Sequence, residues 1–417
     1  MERLPGFRDF YPEPLPHSDV WSADARQFIF NQWRETARRY GFHEYDGPPL
    51  ESLELFTTKS GDEIVGQLYN FVDKGDRAVS LRPEMTPTLA RMVAAHERNY
   101  KKPVKWFAIP QLFRYERQQK GRLREHFQFN ADLIGEANPA ADAELIALLI
   151  DTLRSFGLTA KDFVIRLSSR NAWHDFYKRG KVGASPSPES GEYEFFQTID
   201  KLERTPPDVS EKKLAALGFS LADVNQFIES GKPTVELQGI LDNLAARGLR
   251  EFVKVDYHVI RGLAYYTGVV FEAFDAKGEF RAIAGGGRYD NLVKLISSGK
   301  VDLPALGFGM GDVVLLELLK ARGLLPKFDT TTDVYVLIEG ENLRPQSLKL
   351  IQDLRAAGYA VEYPLTPARP DKQFKRAQEL KVAHTARLES DDYVRIRNLK
   401  TREEIVAGVA DAVNHLG

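Results

Sequence analysis

The sequence predicts an α+β protein of more than one domain. Three observations carry that expectation. Around Phe127 the residues alternate strictly between apolar and polar, the period of a two-faced strand. Helical spacing dominates from Ser18 to Tyr40 and again from about Ser169 to Arg250. Beyond Asp333 strands and helices alternate, as in a compact α/β domain. At 417 residues the chain is long enough for two or three domains.

Each element follows from local chemistry. Trp21, Ala25, Phe28, Ile29, Trp33, Ala37 and Tyr40 form one helical stripe, with Ser18 as N-cap and Gly41 as the stop. Leu68 to Leu81 reads as strand, turn at Lys74-Gly75-Asp76, and strand. Thr86 before Pro87 reads as an N-cap with proline in the first helical position, opening a helix to about His96. Trp106 to Gly135 is predicted to be two strands joined by a polar loop. In the second, Phe127, Phe129, Ala131 and Leu133 form the core face and His126, Gln128, Asn130 and Asp132 the polar one. Asn138-Pro139 starts a helix to about Phe156, ended by Gly157. Ser185 to Gly191 reads as a loop inside the helical stretch 169–250. Strands return from Phe252 to Asp290, and an apolar helix runs near Val313 to Leu324. Pro326 to Thr332 is a linker. Then come strand Asp333–Ile338, helix Leu343–Ala357, strand Tyr359–Tyr363 and helix Asp371–Leu380.

Composition excludes several classes. With 57 basic against 59 acidic residues there is no global positive field, so a nucleic-acid partner must be held by local patches. The absence of Cys removes disulfides, thiolate metal sites and thiol nucleophiles together. The eight histidines show no metal spacing, so no direct protein metal site is expected. The first residues lack a basic stretch followed by an apolar core, and no apolar run approaches a membrane span. A soluble cytoplasmic protein without a membrane partner is expected.

Three strings invite chemistry. From Arg114 to Glu125 five basic groups stand among two acidic ones, ahead of a strand presenting Gln128 and Asp132. A charge run alone is usually a solvated loop; cations alternating with Glu116 also suit a polyphosphate. Arg261 to Gly268 and Gly285-Gly286-Gly287-Arg288-Tyr289-Asp290 join glycines to an arginine and tyrosines, although a tight turn beside core tyrosines explains either string in isolation. Gly307-Phe-Gly-Met-Gly311 lacks the third glycine of a dinucleotide fingerprint, because Asp312 stands there.

In that order, Leu81-Arg-Pro-Glu-Met-Thr86, the Phe113 to Gly135 segment, Arg261-Gly-Leu-Ala-Tyr-Tyr-Thr-Gly268, Gly285 to Asp290 and Gly307 to Gly311 resemble the histidyl-tRNA synthetases, class II aminoacyl-tRNA synthetases. The likeness runs from Leu4-Pro-Gly-Phe-Arg-Asp9 to the C-terminal domain. It implies an antiparallel sheet with flanking helices over residues 1–325, with a helical insertion at about 169–250, and an anticodon-binding α/β domain over 332–417. The implied activity is activation of histidine with ATP to histidyl-adenylate, then transfer to the 3′ end of tRNA(His), with Mg²⁺ accompanying ATP. Pro48-Pro49-Leu50-Glu51 resembles the motif at the class II dimer interface, which implies a homodimer.

By the same resemblance, Arg114 and Arg261 are the catalytic arginines flanking the α-phosphate. Glu116, Arg122, Arg124 and Arg288 join them on ATP, Arg122 and Arg124 facing the outer phosphates or the tRNA acceptor end. Glu84, Thr86 and Gln128 bind the α-amino group. Asp132 and Tyr266 read the imidazole nitrogens, with Tyr265 and Tyr289 lining the pocket. Gln119 and Lys120 contact tRNA, as do Arg369, Lys372, Lys375 and Arg376 in the last domain, although acidic and basic residues balance from Thr331 to Gly417. A pocket that satisfies two ring nitrogens needs no editing site, so the insertion reads as a tRNA-contacting element.

Three positions depart from the family pattern. Asp132 stands where Glu is usual, one methylene longer. Ala264 replaces Asp. Val314 occupies the place of the motif 3 arginine that stacks on adenine, which removes a cation from the ring. Two other readings remain: a synthetase-like regulatory paralogue that binds histidine or a partner enzyme without charging tRNA, and a nucleotide-binding enzyme unrelated to tRNA.

Overall fold

A computed structural model describes residues 2–60, 66–115, 123–180, 188–260, 265–328 and 332–416. They divide into two compact units: Met1–Asp9 with Ala25–Leu325, and Phe10–Asp24 with Pro326–Gly417. The sequence reading placed everything up to 325 in one domain; residues 10–24 instead group with the later unit and hold a short parallel pairing of Phe10–Tyr11 with Trp21–Ser22.

The first unit is built on one large sheet. Its central strands, Phe163–Ser169, Val269–Asp275, Ala284–Arg288, Ala305–Gly311, Glu125–Ile134 and Val104–Ala108, are antiparallel neighbours in that order. Short parallel strands, Val253–Val255 and His43–Glu44, close the two edges. This is the antiparallel sheet expected. The apolar face is covered by helices: Trp33 of the helix Ala23–Arg39 stacks on Phe129 with ring centroids 5.7 Å apart, and Phe30 meets Phe127 edge-on at 5.1 Å. The helix Ala140–Arg154 buries most of its side chains, as its largely apolar run Leu145–Ile150 requires.

Several boundaries move. The first helix starts at Ala23, not at Ser18, because Trp21 and Ser22 pair as a strand. Gly41 does end it, with φ +74°. The helix at Thr86–His96 has Met85 as N-cap with no side-chain cap, so Thr86 is the first helical residue. The segment expected as a loop at Ser185–Gly191 is helical from Pro188, in the helix Pro188–Asp200; residues 185–187 lie outside the described residues.

Among the described residues five α-helices lie between Arg170 and Ala246, with Trp173, Phe195, Phe219, Phe227 and Tyr257 packed together in one aromatic cluster. Leu50–Ser52, Ala78–Leu81 and Asn70–Val72 make a separate three-stranded sheet.

In the second unit the strands run Val361–Glu362, Val334–Leu337, His384–Leu388, Tyr393–Asn398, Glu404–Gly408, the first three parallel and the last two pairings antiparallel. The helix Arg344–Ala356 buries Leu350, Ile351 and Leu354 with Val334, Val336 and Ile396. Ala377 and Phe374 of the helix Pro370–Glu379 pack with Tyr335 and Leu337, whose strand positions alternate with Val334 and Val336.

Candidate active site

The site lies on the polar face of the large sheet. Across the Ala305–Gly311 strand, Gln128 faces Gly311, Asn130 faces Gly309 and Asp132 faces Gly307. One strand further, Gly309 pairs with Gly285 and Gly307 with Gly287. The glycines are there because the polar side chains lean over them. A Cβ on Gly307 would collide with Asp132 Oδ1, and one on Gly309 would sit 2.6 Å from the Gln128 carboxamide carbon. Both Gly-rich strings are therefore strands forming a side-chain-free floor, which corrects the tight-turn reading of 285–290.

Over that floor Glu84, Thr86, Arg114, Gln128, Asn130, Tyr265, Tyr266 and Tyr289 line one pocket. Tyr265 Oη donates to Glu84 Oε2 at 3.2 Å, fixing a carboxylate that is 8% exposed. Thr86 spends no hydroxyl on a cap of its own helix and faces the pocket from its first turn. Asp132 does not line this pocket itself but is buried behind two residues that do, Gly307 and Tyr289; Tyr289 Oη donates to Oδ1 at 2.5 Å and Oδ2 has no partner among the described residues. Burial pushes its carboxyl up to about 7, and the Tyr289 hydrogen bond opposes the rise.

A second pocket shares Arg114, Gln128, Gly285 and Gly309 with the first and adds Leu123, His126, Glu272, Ile283, Val313 and Val314. Arg114 thus stands where the two meet. Its Nε donates to the Pro83 carbonyl at 3.0 Å and its backbone N–H to the Arg124 carbonyl at 2.9 Å. His126 is held neutral: burial, then the charges of Arg114 and Arg8, bring its titration down to about 3. Aliphatic side chains, Val314 among them, share the wall with Arg114, His126, Gln128 and Glu272.

A buried ion cluster supports this end of the sheet. Arg8 Nε donates to Glu125 Oε1 at 2.6 Å and Nη1 to Asp312 Oδ2 at 2.8 Å, while Asp312 Oδ1 accepts the Phe127 N–H at 3.0 Å. Asp312, the residue that breaks the dinucleotide pattern, is one carboxylate of this cluster. Arg8 and Asp312 are far apart in sequence, and periodicity gave no sign of the pair.

Some expectations need correction. Arg288, expected on ATP, is buried and committed elsewhere: Nε and Nη2 donate to Asp142 Oδ2 at 3.0 and 2.6 Å, and Nη1 and Nη2 to the Glu136 and Asn138 carbonyls. Every guanidinium nitrogen is used, so none is left for a phosphate. Arg124 lies with its guanidinium carbon 4.4 Å from the Tyr115 ring centroid and lines neither pocket. Arg261, Glu116, Arg122, Gln119 and Lys120 lie outside the described residues, as does Ala264. In the second unit Arg369, Lys372, Lys375 and Arg376 are all exposed. Gln373 is the reason for the three helical ones: its buried carboxamide donates to the Ile338 and Ala368 carbonyls at 2.7 Å and accepts the Ile338 N–H at 2.8 Å, which fixes the helix face turned outward. The sequence reading did not assign Asn130, His126 or Glu272 to a site. Alternation already put the first two on the polar face, and Glu272 was signalled by a charge inside the apolar strand Val269–Asp275.

A family model described as histidyl-tRNA synthetase matches residues 18–312, and one described as anticodon binding domain matches residues 333–416. A protein named histidine--tRNA ligase from Opitutus terrae is 47% identical, over 97% of this chain and 95% of its own length. Another of that name, from Thermoplasma volcanium, is 36% identical over 100% of this chain and 98% of its own. The solved histidyl-tRNA synthetase of Nostoc sp. PCC 7120 superposes with a TM-score of 0.76, covering 98% of this chain and 99% of that one; at 21% identity it bears on the fold. With a family model spanning most of its length and a relative close to half identical throughout, the chain belongs to the histidyl-tRNA synthetase family.

Proposed function

We propose that this chain is a histidine--tRNA ligase: it joins histidine to ATP as histidyl-adenylate, releasing pyrophosphate, and then passes the histidyl group to the 3′-terminal adenosine of tRNA(His), releasing AMP. The observation that carries this reading is Arg114, a fixed cation at the junction of an amino-acid-sized polar pocket and a larger, partly apolar one. A histidine carboxylate in the first meets an α-phosphate from the second beside that charge. No covalent enzyme intermediate is required, so the protein's work is to position the reactants and to stabilise charge that builds on phosphorus.

Glu84 and Gln128, with Thr86, receive the α-amino group, and Tyr265 holds Glu84 for that purpose. Asp132, with Tyr266 and Tyr289 beside it, reads the imidazole. The adenine lies between the neutral ring of His126 and the aliphatic wall of Val314 and Ile283, which needs no cation above it. Arg261 supplies the second charge on the α-phosphate. Glu272, the one carboxylate among the described residues lining the nucleotide pocket, is fit to share a Mg²⁺ carried in with ATP, whose charge would neutralise the outer phosphates.

The insertion and the cations Arg369, Lys372, Lys375 and Arg376 face tRNA in this reading, with 332–417 as the anticodon-binding domain. Exposed Leu50, Phe71 and Val72 on the three-stranded sheet suit the interface of a homodimer. Among the described residues no helix is long and apolar enough to cross a membrane. The regulatory reading loses ground to the anticodon-binding match at 333–416, a part that a regulator of histidine synthesis does not need. Histidine-dependent exchange of pyrophosphate into ATP, followed by charging of tRNA(His), tests the proposal; purified protein that binds histidine yet catalyses no exchange would return the regulatory reading.

A further inference from the structure

Among the buried polar atoms on this face of the sheet that have no partner among the described residues are Asp132 Oδ2 and the hydroxyl of Tyr45. Their relation follows from register. His43 pairs with Trp106, and Trp106 with Asp132, so these three share a face. Tyr45 follows His43 by two residues, returns to that face, and continues the pairing through its N–H to the Phe107 carbonyl at 2.8 Å. Its own row runs through Ala108 to Asn130, next to Asp132 on that face of the site strand, and Ala108 is too small to screen Tyr45 from it. The Tyr45 ring packs at 5.6 Å from Trp106, against the cluster that contains Tyr266 and Tyr289.

The charged neighbours narrow the choice further. Arg82, Asp46 and Asp132 act on the Tyr45 hydroxyl. Arg82 and Asp46 pair with each other at 3.0 Å, and Arg82 also donates to the Gly47 and Gln111 carbonyls. Asp132 is engaged on one oxygen only, by Tyr289, and the titratable groups around that pair are Tyr45 and Tyr265.

We propose that Tyr45 is a positioning residue for histidine recognition, its hydroxyl donating through one buried water to Asp132 Oδ2 so that the carboxylate stays ionised and aimed at the imidazole. This rests on the histidine-binding reading above. A water there has two protein partners and gains the ring nitrogen as a third when histidine enters, the number such waters ordinarily make. Donors to the charged form of a carboxyl hold it ionised at lower pH, which matters for a group that burial, even against the Tyr289 hydrogen bond, raises to about 7.

Tyr45→Phe removes the hydroxyl and keeps the ring on Trp106. The full-length protein is assayed by pyrophosphate exchange with histidine varied at pH 6.5, 7.5 and 8.5. The expected result is a ratio of variant to wild-type histidine KM that grows about threefold or more as the pH falls from 8.5 to 6.5, the pattern of an Asp132 that ionises later, with no matching change in the ATP KM. Adding Asp132→Glu, which brings the acid roughly 1.5 Å closer to its reading position, should recover part of the loss. Absence of histidine-dependent exchange in the wild type overturns the underlying function. Exchange in both proteins with a pH-independent KM ratio, or with histidine and ATP KM rising together, overturns the role of Tyr45 alone.

Discussion

Asp132→Asn should stabilise the unliganded protein while it damages histidine binding. The carboxyl is 2% exposed and burial carries it from an ordinary 3.8 to about 7, so the folded state binds its proton more tightly than the unfolded chain does. Its favourable contribution is therefore complete below pH 3.8 and is lost as the pH rises through about 7. At pH 8 the ionised group costs at most ~4 kcal/mol relative to acid conditions, and any donor reaching Oδ2 reduces that figure. Asparagine carries no charge and can still accept the Tyr289 hydroxyl through its amide oxygen. Thermal unfolding of both proteins at pH 5.5 and pH 8 measures the effect: the variant's advantage in Tm should be larger at pH 8, by several degrees. In exchange assays its histidine KM should rise well beyond its ATP KM, because the anionic acceptor for a ring N–H is gone. A Tm difference independent of pH would refute the buried-charge argument, and histidine affinity within twofold of wild type would mean that another residue reads the ring.

Arg114→Ala should lower adenylate formation by ~10²–10³ in pre-steady-state exchange with a smaller effect on histidine binding, since its charge matters most as charge builds on phosphorus; equal losses in both would contradict that role. Gly307→Ala drives a methyl into Asp132, an overpacking of ~1–3 kcal/mol that should appear as a ~10-fold or greater rise in histidine KM; Gly311→Ala, whose Cβ meets only His126 at 3.9 Å, should do less. Arg8→Ala leaves Glu125 and Asp312 as uncompensated buried charges and should destabilise the protein by ~3–5 kcal/mol in denaturant melts; a loss under 1 kcal/mol would mean the cluster is hydrated. Neutralising Arg369, Lys372, Lys375 and Arg376 together should weaken tRNA binding and flatten its salt dependence, as phosphate contacts are lost, with exchange as the unaffected control; unchanged charging would remove tRNA from that helix.

Much of this was legible in the sequence because it is local. Alternation along 126–133 gave both faces of the site strand, and Gly41 and Gly157 marked helix ends at positive φ. The order of the motifs named the family before any geometry was known. Thr86 and the first helix were misplaced by a few residues because a cap or a short strand pairing is settled by neighbours that a propensity pattern does not see. The second unit's sheet and helices followed from strand and helix periods alone, while its recruitment of residues 10–24 did not.

Pairings across long stretches of chain belong to the tertiary structure. The family resemblance puts Arg288 on ATP; in the fold it meets Asp142 and the Glu136 and Asn138 carbonyls, and its charge is consumed there. Glycines 307 and 309 read as part of an incomplete dinucleotide fingerprint; in register they are the space into which Asp132 and Gln128 lean. Arg8, Glu125 and Asp312 assemble from three separated segments. A sequence by itself determines period, charge and motif order, since these depend on neighbours along the chain. Which charge is neutralised, which carboxyl is buried and which glycine is a floor depend on strand register and burial, and those exist only once the sheet has closed.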